Sequence, residues 1–206
     1  MTPIKILLID DHSVMRMGLA ALLGTQKDLQ IVGDAGDGET GIRKALKLRP
    51  DVVIMDLMMP VMDGVATTRE LLAKMPEAKV LILTTFGSSD GIAHALESGA
   101  KGAIMKTADL AELLDAIRAV ARGERSVAPE IEQILTEDPP VPELSPRQTD
   151  IMKSVIRGLT NEDIAKQLGI SAPMVNEHLN ALFAKIGAAN RTEAVAIALR
   201  KQLLKI

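Results

Sequence analysis

The sequence predicts a doubly wound α/β domain on a five-stranded parallel sheet, followed by an all-α, four-helix domain. Three observations carry this expectation. Short apolar runs recur through the first half of the chain: Ile4–Ile9, Leu29–Val32, Val52–Met55, Val80–Leu83 and Ala103–Met105. Strands that are apolar on both faces belong in a parallel sheet covered on both sides. Between them lie amphipathic stretches of helical length, and after an acidic, proline-rich stretch every remaining segment has helical spacing and no strand pattern.

The elements follow in order. Helices are expected over Met15–Leu23, Gly41–Leu48, Val65–Met75, Gly91–Glu97 and Leu110–Ala121, each between two apolar runs, which makes 1–122 one domain. Residues 123–143 change character. Thr136-Glu137-Asp138-Pro139-Pro140-Val141-Pro142-Glu143 reads as an extended linker, with a short helical turn at Ile131–Leu135 before it. The third segment, 144–206, has well-written caps. Ser145-Pro146-Arg147-Gln148 combines an N-cap, a proline at the first helical position and a capping-box Gln, with Gly158 as the stop. Thr160–Asp163 opens a short helix that ends near Leu168, and Gly169 makes the turn. Ser171 caps a third helix running to about Lys185, and Asn190-Arg191-Thr192-Glu193 precedes a fourth over Ala194–Leu204.

Composition narrows the function. At 206 residues and 47% apolar, the chain can bury two small cores. It has no cysteine, which excludes disulfides, thiolate metal sites and thiol catalysis. No apolar run approaches the ~18 residues needed to span a bilayer. The first residues lack a basic stretch followed by an apolar one. A soluble, cytoplasmic protein with no membrane partner is expected. Charge is unevenly spread, with residues 144–206 at +4 and the remainder at −7. A basic module attached to an acidic one suits a polyanion-binding output. With no Trp or Tyr and only Phe86 and Phe183, there is no platform for stacking single-stranded bases, so any nucleic acid bound is a duplex.

Asp10 and Asp11 follow the first apolar run and Asp56 follows the third. Ligands of doubly wound sheets sit beyond the carboxyl ends of the strands, where the strand order reverses. With the order 2-1-3-4-5, the three carboxylates converge there. Such a group repels itself unless it is neutralised. Mg²⁺ suits a few carboxylates together with waters and phosphate oxygens. Thr84-Thr85 and Lys106 end strands four and five on the same edge, where a hydroxyl and an ammonium could hold the oxygens of a phosphoryl group. Asp56 is then the nucleophile that forms an aspartyl phosphate. Taken singly, each residue has a structural explanation: Asp10 and Asp11 as helix caps, Lys106 as a snorkelling side chain.

The segments Leu8-Ile9-Asp10-Asp11-His12, Val53 through Gly64, Leu83-Thr84-Thr85 and Ile104-Met105-Lys106 resemble the receiver domain of two-component response regulators over residues 1–122. The resemblance implies that Asp56 takes phosphate from a sensor histidine kinase. It also implies that Asp10, Asp11, Asp56 and the backbone carbonyl of Met58 hold Mg²⁺, and that Thr84 and Lys106 contact the phosphoryl oxygens. Phosphorylation would draw Thr84 inward and remodel the face of the fourth helix and fifth strand. The chain departs from the pattern at Ala103, where receivers usually carry an aromatic that swings with Thr84. Met58 and Phe86 flank the site where polar residues are common. An apolar pair orients attacking water poorly, so a long-lived phosphoryl group is expected, with at most slow self-dephosphorylation and no enzymatic turnover.

A short helix, a glycine turn and a capped helix form the layout of a helix-turn-helix. In the third helix Val175, Leu179, Leu182, Phe183 and Ile186 should face the core, leaving Asn176, Glu177, Asn180 and Ala184 outside. Leu144 through Gln148, Leu159 through Ala165, Leu168-Gly169-Ile170-Ser171, Val175, His178, Leu182 and Lys185 resemble the LuxR-type DNA-binding domain over residues 144–206. The whole chain resembles the NarL/FixJ branch of response regulators. That implies a dimeric transcription factor on double-stranded promoter DNA, with RNA polymerase among its partners. Relatives tend to have lysines at Asn176 and Asn180 and a small or apolar residue at Glu177. Asn can pair with adenine and Glu can accept from the cytosine amino group. Lys166, Lys185 and Arg191 are candidate phosphate contacts. Val195, Ile197, Ala198 and Leu203 form an apolar stripe that serves either as a dimer seam or as bundle packing.

Two other readings remain. Phosphatases of the haloacid dehalogenase type also use an Asp after a strand, but need a second Asp where Met58 stands. Alternatively, the helical domain binds a protein partner rather than DNA, a reading that Ala103 and Glu177 keep open.

Overall fold

A computed structural model of the chain describes residues 2–85, 89–142, 144–201 and 203–204. It divides into two compact units between Pro139 and Pro140. The first alternates strands and helices: β1 (Ile4–Ile9), α1 (Ser13–Leu23), β2 (Leu29–Ala35), α2 (Gly38–Leu48), β3 (Val52–Asp56), α3 (Gly64–Lys74), β4 (Val80–Thr84), α4 (Ser89–Glu97), β5 (Gly102–Met105), α5 (Leu110–Ala121), β6 (Ser126–Val127) and α6 (Pro129–Glu137). The sheet order is β2-β1-β3-β4-β5-β6 and every pairing is parallel. The order reverses between β1 and β3, so the carboxyl ends of these two strands meet at the crevice where such sheets bind ligands.

The apolar runs are apolar on both faces because both are covered. Leu7, Ile9, Val53, Met55, Val80 and Ile82 lie in one cluster, with Ile42 of α2, Leu71 of α3, Ile92 of α4 and Ile131 of α6. The alternate residues Ile6, Leu8, Val52, Ile54, Leu81 and Leu83 lie in the other, with Leu19 and Leu23 of α1 and Leu113 and Ile117 of α5. A period-two strand buried on both sides reads as a continuous apolar run.

Two expectations are corrected here. The sheet has six strands among the described residues, and the 123–143 stretch carries β6 and α6. Gly102 and Ala103 pair with Ser126 and Val127. A Cβ at Gly102 would lie 2.3 Å from the Ser126 carbonyl oxygen, so a glycine is needed for β6 to approach. Pro129 at the start of α6 suits a first helical turn, and Ile131 is fully buried in the core. Extended linker character is confined to the residues after Glu137, and Val141 is already buried in the core of the second unit.

The second unit holds α7 (Pro146–Ile156), α8 (Asn161–Leu168), α9 (Ala172–Ile186) and α10 (Arg191–Arg200). Ser145–Gln148 and Thr160–Asp163 form reciprocal capping boxes, and α8 ends at Gly169 in a left-handed conformation. The Asn190 side chain accepts from the Glu193 backbone N–H, while the Glu193 carboxylate accepts from the Ala189 N–H. Val175, Leu179, Leu182 and Ile186 are buried, as their spacing predicts, and Phe183 packs against them. Ala198 is also buried there, with Val195, Ile197 and Leu203 packed against the same core. The apolar stripe of the last helix is therefore taken up by its own bundle. The helix ends at Arg200, short of the expected Leu204.

Candidate functional site

The carboxyl edge of the sheet brings together Asp10 after β1, Asp56 at the end of β3, Thr84 at the end of β4 and Lys106 after β5. Asp10, Asp56 and Thr84 are buried. The Lys106 ammonium lies 2.7 Å from an Asp10 carboxylate oxygen and 2.9 Å from one of Asp56, and all three side chains are at most 6% exposed. Local geometry fixes each group. The His12 N–H donates to Asp10 and the Met58 N–H to Asp56 (3.3 Å). The Lys106 N–H donates to the Thr84 carbonyl, tying the ends of β4 and β5 together. A Cβ at Gly64 would lie 2.4 Å from the Asp56 carbonyl oxygen, so only glycine lets α3 start this close beneath the site. In the loop between them, Val61 is almost fully exposed at φ 67°, an uncommon and strained conformation for a β-branched residue.

Electrostatics follow from this crowding. Burial pushes the Asp56 carboxyl above the ordinary carboxylate range and the Asp10 charge adds to that, while Lys106 pulls the other way. Burial alone would lower Lys106, but Asp10 and Asp56 outweigh it and hold its ammonium above the ordinary lysine value. The Thr84 hydroxyl is buried with no hydrogen-bond partner among the described residues. A buried hydroxyl without a partner carries a desolvation cost that an incoming oxygen relieves.

Ligand atoms of Asp10, Asp11, His12 and Asp56 all lie within 4.8 Å of one another. The three carboxylates among them, Asp10, Asp11 and Asp56, are the oxygen donors that a hard divalent cation takes, so these three fit Mg²⁺. Met58 follows Asp56 in the loop, its side chain half exposed. Two residues here escaped the sequence reading. His12 stands 2.9 Å from Asp11 through Nδ1. Arg16 donates to the Asp10 backbone carbonyl and to Asp34. The position of Arg16, one helical turn beyond His12, was the available signal for it. Phe86 lies outside the described residues. A groove of ≈ 520 Å³ runs beside Lys106 between α1 and α5, lined by Val14, Leu22, Met105 and Leu110 among others.

In the second unit Asn176, Glu177 and Asn180 are exposed on α9, and Lys166 is exposed on α8. The other two predicted phosphate contacts are engaged within the unit. Lys185 donates to the Gln148 side chain (3.2 Å), and Arg191 donates to the Leu159 carbonyl and the Asn161 side chain. His178 is half-buried.

A carboxylate–lysine edge on a doubly wound sheet, joined to a capped helix-turn-helix, defines a two-domain regulator. Residues 6–118 match the response regulator receiver domain and residues 142–198 match the luxR family of bacterial regulatory proteins. The chain is 36% identical to the transcriptional regulatory protein LiaR of Bacillus subtilis, over 98% of this chain and 99% of that one. It is 33% identical to the response regulator protein VraR of Staphylococcus aureus, over 98% and 99%. The crystal structure of the response regulator ChrA of a heme-sensing two-component system superposes with a TM-score of 0.60 at 36% identity, covering 99% of this chain and 100% of that one. The chain belongs to the response regulators with a LuxR-type DNA-binding domain, the NarL branch of two-component transcription regulators. Among the described residues no helix is long and apolar enough to cross a membrane.

Proposed function

We propose that this chain accepts a phosphoryl group on Asp56 from a sensor histidine kinase and, so modified, binds promoter DNA as a homodimer in the cytoplasm. The observation that carries the reading is Lys106 shared between Asp10 and Asp56 beside the unpartnered Thr84 hydroxyl. An Asp56 carboxylate oxygen attacks phosphorus, the P–N bond of the kinase phosphohistidine breaks, and the imidazole leaves. Lys106 turns from Asp56 to the phosphoryl oxygens and keeps its contact with Asp10. The Thr84 hydroxyl donates to another of those oxygens, which relieves its burial. Asp10, Asp11, Asp56 and the Met58 carbonyl would hold Mg²⁺, which supplies positive charge where the phosphoryl oxygens gather. Exposed apolar Val14 and Leu22, which line the groove, give a protein partner such as the kinase a surface to hold. On the output side Asn176, Glu177 and Asn180 offer polar groups to base edges, and Lys166 offers a phosphate contact. RNA polymerase is the expected further partner of the bound dimer.

The test combines intact mass with gel shifts. Acetyl phosphate and Mg²⁺ should add one phosphoryl group to the wild type and none to Asp56→Asn, and should strengthen binding to the gene's own upstream region. Phosphorylation with no binding at low salt would instead favour a protein partner for the helical unit, the reading that exposed Glu177 supports.

A further inference from the structure

We infer that Asn161 and Arg191 set the base preference of the recognition helix by fixing which way round the Asn176 amide faces. The inference rests on DNA binding by α9. A guanidinium has only N–H donors. Arg191 spends two of them on acceptors, the Leu159 backbone carbonyl and the Asn161 side-chain oxygen (3.2 Å). That contact leaves Asn161 no choice of orientation: its oxygen faces Arg191 and its NH₂ faces away. The NH₂ then donates to the Asn176 side-chain oxygen at 2.5 Å. The polarity of Arg191 therefore propagates through two amides. It runs from the start of α10, through the start of α8, to the exposed face of α9.

Asn176 sits in the second turn of α9, in the N-terminal part of a helix-turn-helix recognition helix that meets base edges. An unconstrained Asn pairs with adenine by offering one acceptor and one donor. Here the oxygen is drawn toward Asn161. The NH₂ takes no partner among the described residues and is the group left to meet the groove. A donor-presenting amide suits an edge made of acceptors, and in the major groove guanine offers two, O6 and N7. Cytosine offers only a donor there and is rejected. Adenine pairs its one acceptor, N7, with an amino donor, and thymine offers the single acceptor O4, so Asn176 favours guanine, with its two adjacent acceptors, over both. Asn161 and Arg191 are positioning residues, the second of them held half-buried within the unit rather than turned to a phosphate.

The experiment is selection from a randomised duplex library with the full chain, acetyl phosphate and Mg²⁺. Asn176→Ala identifies the base pair by the one position at which selectivity is lost. The wild type should prefer guanine there by about tenfold, the range of one good side-chain–base pair. Asn161→Asp keeps the contact with Arg191 but replaces the donor facing Asn176 by an acceptor, so the Asn176 amide turns its oxygen outward. An acid in the first turn of α8 is also favoured electrostatically, so this variant keeps its fold. Its preference should move at least fivefold from guanine toward adenine or cytosine, with other positions unchanged. An adenine preference in the wild type, or an unchanged preference in Asn161→Asp, overturns the inference while leaving DNA binding intact. A wild type that enriches no duplex overturns both.

Discussion

Replacing Lys106 by methionine keeps the length of the side chain and removes its charge. The ammonium lies 2.7 Å and 2.9 Å from two buried carboxylates. At an effective dielectric constant near 20, each contact is worth roughly 6 kcal/mol of Coulomb energy. Much of that is offset by burying three charges, and removing one partner of such a group costs roughly 3–5 kcal/mol. At about 3 °C per kcal/mol for a unit of this size, unfolding in chelator at neutral pH should fall by roughly 10 °C. Circular dichroism is the readout, since the chain has no tryptophan.

Two conditions should close the gap. Mg²⁺ adds roughly 2.7 kcal/mol at a hundred times its dissociation constant, and it should bind the variant more tightly, because no ammonium competes with it for Asp10 and Asp56. Acid narrows the gap as well, because Asp56, already raised by burial, takes up a proton and loses the charge that Lys106 would neutralise. The wild type has an alkaline limit of its own. The pKa of Lys106 is raised on folding, so its contribution is complete below the ordinary value of 10.5 and is lost as pH climbs through the raised one. A Lys106→Met protein that melts within 2 °C of the wild type in chelator would show that the ammonium does not neutralise the cluster.

Other outcomes follow from single residues. Ile131→Ala should destabilise the first unit by roughly 2–5 kcal/mol, because its side chain is fully buried; a change below 0.5 kcal/mol in a denaturant titration would mean that α6 is not docked in solution. Val61→Gly should stabilise the protein by about 1 kcal/mol by relieving the left-handed φ of an exposed β-branched residue, seen as a higher urea midpoint at unchanged slope. The phosphoryl group of the wild type should last for many minutes, and Met58→Asn, which gives attacking water a hydrogen-bonding partner, should shorten its half-life several-fold by radiolabel chase; a wild-type half-life of seconds contradicts this.

The sheet and its carboxylates were legible because their signal is local. Each apolar run is a whole strand, and Asp10, Asp56, Thr84 and Lys106 each stand at a strand end. A doubly wound order then suffices to bring them together. The helix caps of the second unit were equally legible, since Ser145, Thr160, Ser171 and Asn190 act within four residues of themselves. What escaped depends on partners far along the chain. Nothing local in the sequence shows that Lys185 bonds to Gln148, or that Arg191 bonds to Leu159 and Asn161. β6 escaped because two residues with one apolar side chain carry no periodicity.

That missed strand also bears on the departure at Ala103. Ala103 pairs with Ile82 on one side and Val127 of β6 on the other, and it is fully buried in the cluster that holds Ile131. The amide of Ala128 donates to the Ala103 carbonyl, so β6 continues into α6 from that very residue. A close-packed interior has no room for an added ring, and overpacking costs typically 1–3 kcal/mol. An aromatic at position 103 would add its bulk to the buried cluster that also holds Ile131. Ser89, at the start of α4, donates to Asp138 just past the end of α6, so α6 is held at both ends by the strand and helix that neighbour Thr84.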